Sequence, residues 1–253
     1  MSISGESGVG IIRLFDDFCG PEIPVEGDGV YIDVNYAGIH SGPFKVTGSI
    51  HDTDSGVVSL AKSSGYVRLT SSATADGDGV AVGTEVCFSP VLNGTLVLET
   101  RVELAALTAR NVFAGFCTAN ADEVLEPLTA TTTTITKVVP SVGFLFDSQL
   151  TTNGTRWFMP YLLAADTTQT STDVDSSQTA VAGESDILRV EIDNNGAARW
   201  YVNGVLEQSV GAGLAATPAT LLAGLVGCWS TTSTVGSADV DYLLVTAGRD
   251  WTR

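Results

Sequence analysis

Basic residues are scarce in this chain. Lys and Arg number 12 against 29 Asp and Glu in 253 residues, a formal net charge of −17. Such a surface repels phosphate backbones and anionic lipid, which sets nucleic acid and membrane aside as partners. Histidine is rarer still. His40 and His51 are the only two; no G-x-S-x-G elbow accompanies them, and both read as ordinary loop residues. Cysteine is limited to Cys19, Cys87, Cys117 and Cys228, far apart, with no C-x-x-C pair and no adjacent histidine. A zinc site needs clustered nitrogen and sulfur ligands, so free thiols buried within strands are the expectation instead. Long apolar runs are missing too. The longest, around Leu221–Trp229, is too short and too glycine-broken to span a bilayer. The opening MSISGESGVG carries neither a basic nor an apolar signal region, so no secretory signal is expected and synthesis is placed in the cytosol.

What is present is β grammar. Hydrophobic residues make up 44% and charged residues 16%, with 27 glycines, a composition that buries a core and turns often. Residues 187–205 state it most clearly. Leu188, Val190 and Ile192 alternate with Arg189, Glu191 and Asp193, Asn194-Asn195-Gly196 breaks the run, and Ala198, Trp200 and Val202 resume it before Asn203-Gly204. Period-two alternation makes a half-buried strand, and Asn-Gly tolerates the positive φ of a tight turn. The same alternation is visible in Tyr66–Thr70 and Thr95–Leu104. Gly79–Phe88, Thr155–Ala164, Leu221–Trp229 and Ala238–Thr246 read as further strands, as do Ile11–Phe18, Val30–Val34 and Phe44–Ile50. The continuous apolar runs within Arg110–Thr118 and Val142–Asp147 suit strands covered on both faces. Ala121–Leu125 has a short helical possibility, Thr129–Thr136 reads as a surface loop or edge strand, and Asp166–Ser177 as a polar loop. The fold class is therefore all-β: one two-sheet sandwich over residues 13–253, an edge elaboration at 20–65, and a flexible arm at 1–12.

From about Phe44 onward the chain resembles bacteriophage virion proteins with a concanavalin A-like, laminin-G-like jelly roll of two antiparallel sheets. The likeness rests on Asp52–Val58, Asp76–Gly79, Leu98–Val102, Val112–Phe116, Val142–Asp147, Arg199–Gly204 and Asp239–Val245. It implies a non-enzymatic capsid decoration protein on the outside of the virion, made in the host cytoplasm. Its partners would be the major capsid protein and copies of itself, a trimer being the first expectation from capsid symmetry. Met1–Gly10 and Gly248–Arg253 are the expected contact segments, since free arms can order against a partner. The alternative reading is a carbohydrate-binding module that attaches a tail or fibre to host glycans.

Candidate chemistry is thin. Asp76-Gly77-Asp78-Gly79 with Glu85 resembles part of a calcium loop, but a third acid is missing and the Glu spacing is wrong. Asp76 and Asp78 are the weak metal candidates, against a plain Asp-Gly turn; Asp52/Asp54 and Asp173/Asp175 read as acids that solvate loops. Jelly-roll glucanases carry Glu-x-Asp-x-x-Glu on one strand face. Here Glu191-Ile192-Asp193 and Glu184-Ser185-Asp186 both lack the third acid. No catalytic residues are assigned. Asn93-Gly94-Thr95 and Asn153-Gly154-Thr155 read as turns. Trp157, Trp200, Trp229, Trp251, Tyr161 and Tyr201 would serve a glycan only if exposed together at one rim, and alternating strands place most of them in the core.

Overall fold

The computed structural model describes residues 10–19, 40–41, 43–48, 56–71, 77–108, 110–119, 126–164, 174–231 and 234–250. Its strands run in chain order as β1 (Ile11–Asp16), β2 (His40–Ser41), β3 (Phe44–Gly48), β4 (Gly56–Leu60), β5 (Tyr66–Thr70) and β6 (Gly79–Gly83). One helical turn, α1 (Pro90–Asn93), precedes β7 (Leu96–Glu103) and β8 (Asn111–Cys117). Then come β9 (Leu128–Thr131), β10 (Thr134–Lys137), β11 (Ser141–Asp147), β12 (Arg156–Phe158), β13 (Tyr161–Leu162) and β14 (Asp175–Thr179). The chain closes with β15 (Ser185–Ile192), β16 (Ala198–Val202), β17 (Val205–Val210), β18 (Ala223–Trp229) and β19 (Ser237–Gly248).

These strands build two antiparallel sheets, a jelly-roll sandwich. The first has the order β17-β16-β15-β7-β19-β5-β4, with β1 also on β19. Strands β5 and β1 share one edge of β19, the former along residues 237–240 and the latter along 243–248. The second sheet has the order β14-β12-β11-β8-β18-β6-β3-β2, with β13 also on β11. Between the sheets, Leu98, Leu188, Val190, Trp200, Leu243 and Val245 meet Phe44, Val112, Phe116, Phe144, Phe146 and Trp157. Burial of that apolar surface is the main force holding the layers together.

Strands β8, β11 and β18 are buried along their whole length. Their second face is covered by the separate β9–β10 ribbon, which lays Leu128, Ala130 and Ile135 over Phe113, Leu145, Phe158, Leu225 and Trp229. The Thr-rich stretch is thus a hairpin with a dry inner face. Its outward residues pair across strands as Thr131 with Thr134 and Thr129 with Thr136.

Several boundaries differ from the sequence reading. Strand β1 begins at Ile11, so Ile11 and Ile12, placed in the expected arm at 1–12, belong to the sandwich, where they pair with Gly248 and Ala247; residues 1–9 lie outside the described residues. The run 79–88 stops at Gly83, Phe88 making only an isolated bridge to Leu222. The run 155–164 divides at Met159-Pro160, proline having no N–H to give. Asp175–Thr179 is a strand rather than the end of a polar loop, pairing with β12. His40 lies in strand β2. Of the four free thiols, Cys117 and Cys228 are buried as expected, whereas Cys19 and Cys87 are exposed. Val30–Val34, Ala121–Leu125, His51, Asp52 and Asp54 lie outside the described residues.

Candidate functional site

The outward face of the first sheet gathers two of the sequence-predicted acids, Glu191 and Asp193, into one ladder with Glu99. Ile187, Arg189 and Glu191 alternate outward on β15 because Leu188, Val190 and Ile192 are in the core. Register then sets opposite charges side by side: Glu99 of β7 is the cross-strand partner of Arg189, and Arg199 of β16 is the partner of Glu191. Arg189 holds Glu191 Oε1 through Nε (2.9 Å) and Nη2 (2.6 Å) and reaches Glu99 Oε2 through Nη1 (3.2 Å). Arg199 donates from Nε to Glu191 Oε2 (3.1 Å) and grips Asp193 through both Nη atoms (2.8 and 3.0 Å). Tyr242 of β19 donates its hydroxyl to Glu99 Oε1 at 2.9 Å.

Charge-assisted, forked bonds of this kind are the strong ones. The hydrogen bonds that Arg199 donates to Asp193, and then to Glu191, hold its proton well above the usual arginine range, outweighing its partial burial. For Arg189, burial opposes the charge, yet the carboxylate of Glu191 still raises it. Burial first, and then the Glu99 carboxylate, push the Tyr242 phenol upward.

A second cluster closes the same face toward β5. Asp239, whose side chain is fully buried, accepts Arg68 Nε (2.7 Å) and Nη2 (2.9 Å) and Lys62 Nζ (2.9 Å). Lys62 also reaches Glu103 (2.7 Å) and lies over the Tyr66 ring, 4.9 Å from its centroid. Sequence reading missed this cluster because Lys62 and Asp239 are far apart in the chain. The available signal was the opposite-sign pairing that alternate strand positions offer once register is known.

Glu191 and Asp193 do come together, but as ladder rungs. Both Glu191 oxygens accept hydrogen bonds from guanidinium donors. Asp186 accepts the indole N–H of Trp157 and the amide of Asn203 (both 2.9 Å). Asp175 is paired with Arg156 (2.7 Å) and Glu85 with Lys45 (3.1 Å). Asp78 sits in the turn before β6, its carbonyl accepting the Ser230 N–H at 2.8 Å. Asp76 and Asp173 lie outside the described residues. Among the described residues, no three His, Cys, Asp or Glu side chains are grouped to hold a metal.

The aromatic candidates separate by depth. Trp157, Trp200 and Trp229 are fully buried. Trp200 donates to the Gly143 carbonyl at 2.8 Å and packs against the half-buried Tyr161. Tyr201 is half-exposed beside Arg189 on the ladder face, and Trp251 lies outside the described residues. Burial pushes the Cys117 and Cys228 thiols up to about 12, which makes them packing groups rather than nucleophiles.

No family model and no curated protein matches the sequence. Solved structures share the fold. A protein of unknown function from Shewanella oneidensis MR-1 is similar at 13% identity and a TM-score of 0.61, over 100% of this chain and 91% of that one. The β-glucanase of Bacillus licheniformis is similar at 12% identity and 0.55, over 95% and 99%. The carbohydrate recognition domain of Emp46p, in a potassium-bound form, is similar at 7% identity and 0.51, over 83% and 90%. At these identities the likeness is one of architecture: a concanavalin A-like jelly roll, a fold that occurs in carbohydrate-binding and glucanase proteins.

Proposed function

We propose that this chain is a non-enzymatic structural protein of a bacteriophage virion, a decoration protein seated on the outer surface of the capsid. The observation that carries the reading is that the described outward faces of both sheets are engaged by the chain's own groups. The ion-pair ladder occupies one, where Arg189 and Arg199 hold Glu191 from both sides, and the β9–β10 ribbon covers the other. Ends and edges are then left for contact, as in a rigid block that presents loops to its neighbours. The acidic balance fits an exterior position away from packaged DNA. Major capsid protein is the partner class this reading requires.

The test is co-sedimentation of the purified chain with undecorated capsids, followed by imaging of the particles. Saturable occupancy of symmetric outer sites, with capsids that resist heat better, is the expected result. Failure to bind any capsid shell from the phage that encodes the chain overturns it. A glycan-binding module is the second reading, favoured by the fold shared with a carbohydrate recognition domain. A glycan array with saturable binding would select it, and cleavage of a bound glycan would overturn the non-enzymatic part of the proposal.

A further inference from the structure

A chain of net charge −17 meets a second copy of itself only against repulsion, unless the touching surfaces are neutral. One end of the sandwich carries a patch without charged side chains. Residues 86–98 and 208–222 contain no Asp, Glu, Lys or Arg, and the fold brings α1 and the loop before β18 together there, Phe88 bridging Leu222; Arg249 and Asp250, of opposite charge, border the patch. The Val91 N–H and the Ser89 hydroxyl both donate to the Pro218 carbonyl (3.0 and 2.9 Å). The Ala215 and Ala216 N–H groups share the Gly196 carbonyl (3.2 and 3.1 Å), which attaches the turn between β15 and β16. Asn93 Nδ2 reaches the Gly248 carbonyl (2.9 Å) and the Arg249 N–H reaches that of Gly10 (3.2 Å), so the start of β1 lies alongside α1.

Large apolar side chains stand in solvent on this end: Ile11 (56% exposed), Val91 (54%), Leu92 (41%), Leu214 (59%) and Leu221 (48%). Single exposed aliphatics are ordinary, but several on adjoining segments of one uncharged patch mark a contact surface. Two described acids beside it are already engaged, Asp193 by Arg199 (2.8 Å) and Glu85 by Lys45 (3.1 Å).

We infer that this end is where copies of the chain associate, α1 and the Leu214 loop of one copy packing against those of the next. The choice of occupant follows from charge. A basic partner gains more by docking on the acid-rich remainder of the surface, whereas an acidic copy meets least repulsion by placing uncharged patch against uncharged patch. A like-with-like contact of this sort is self-complementary and closes as a symmetric oligomer. A second exposed aliphatic pair, Val205 and Leu206 on the edge strand β17, is the poorer candidate. Glu207 lies beside it, and the register shift opposite Trp200 and Tyr201 bends the strand away from simple edge-to-edge addition. The inference does not depend on the capsid assignment, because self-association can be found whether or not a capsid is bound.

The experiment is sedimentation velocity on the full chain from micromolar to millimolar concentration, at low and high sodium chloride. Wild type is expected to associate, more tightly at high salt because the −17 self-repulsion is screened. Val91→Glu and Leu214→Glu, both solvent-facing and therefore compatible with folding (checked by circular dichroism), are expected to weaken association by about tenfold or more. Val205→Glu is expected to associate as wild type does. A wild-type chain that stays monomeric, an oligomer that salt dissociates, or one that Val205→Glu breaks while Leu214→Glu does not, overturns the inference.

Discussion

The indole N–H of Trp157 donates to Asp186 Oδ2 at 2.9 Å, which ties the second sheet to the first from β12 to β15. The other oxygen of Asp186 accepts from Asn203, which also reaches Gln178; Gln178 in turn donates to Glu207 on β17. Hydrophobic contact alone does not fix how two sheets slide on each other, because it is non-directional. This polar clasp does, because each bond has one geometry.

Asp186→Ala strands a buried indole donor and releases Asn203. The cost of an unsatisfied buried group is about 1–3 kcal/mol, so a chemical denaturation midpoint should move by that amount. Trp157→Phe keeps the ring and removes the donor, and it should cost less. Equal losses in the two variants would show that packing, not the hydrogen bond, is what Asp186 supports.

In the ladder, Glu191 sits between two arginines. Glu191→Ala leaves both guanidiniums short of an acceptor, and since water can reach both, a loss of only about 1 kcal/mol is expected. Each arginine is partly solvated, so the pairwise coupling of Glu191 with Arg199 in a double-mutant cycle should be only about 0.5–1 kcal/mol. That coupling should shrink in high salt. No coupling at low salt would mean that the ladder is decoration on a sheet held by its core.

Much of the sandwich was legible because its signals are local. Alternation in Thr95–Leu104 and residues 187–202 became β7, β15 and β16. Asn203 and Gly204 adopt φ of 51° and 81°, the paired positive values of a two-residue hairpin turn. The apolar runs of β8 and β11 announced strands buried on both faces, but not what would cover them. That role fell to the β9–β10 ribbon, whose threonines pointed to the surface while Leu128, Ala130 and Ile135 carried the packing. The candidate site was least legible. Glu191 was visible as a carboxylate on a strand face, but Arg189 and Arg199 become its clamps only through side-chain reach and register, and Glu99 lies 90 positions away from Arg189.

Gly143 and Gly115 are direct partners across β11 and β8. A Cβ on Gly143 would lie 2.6 Å from the Ala114 carbonyl oxygen and 2.7 Å from Cε2 of Phe113, whose ring lies over this strand. Gly143→Ala should therefore cost about 1–3 kcal/mol through overpacking. Phe113→Leu in the same chain makes room, so the double variant should lose less than the sum of the singles. Strict additivity would place the strain on the Ala114 backbone instead of the ring.

Acid should weaken the fold through two carboxylates. Burial alone would raise Asp239, but hydrogen bonds from Arg68 and Lys62 outweigh it and hold the group below its ordinary 3.8. Glu207 is likewise held below 4.5, burial being overcome by the backbone N–H and hydroxyl of Ser177 and then by Gln178. A folded-state value below the unfolded one means that the native chain binds fewer protons. The stabilisation is therefore complete above the ordinary value and is lost as pH falls through the folded one. Asp239→Asn cannot ionise, so it should be markedly less stable than wild type at neutral pH, and the gap should narrow below about pH 4. Denaturant titrations of both proteins across that range measure the gap directly. A gap that stays constant in acid would show that the Asp239 charge contributes nothing, and that Arg68 and Lys62 are held by Glu103 and the Tyr66 ring alone.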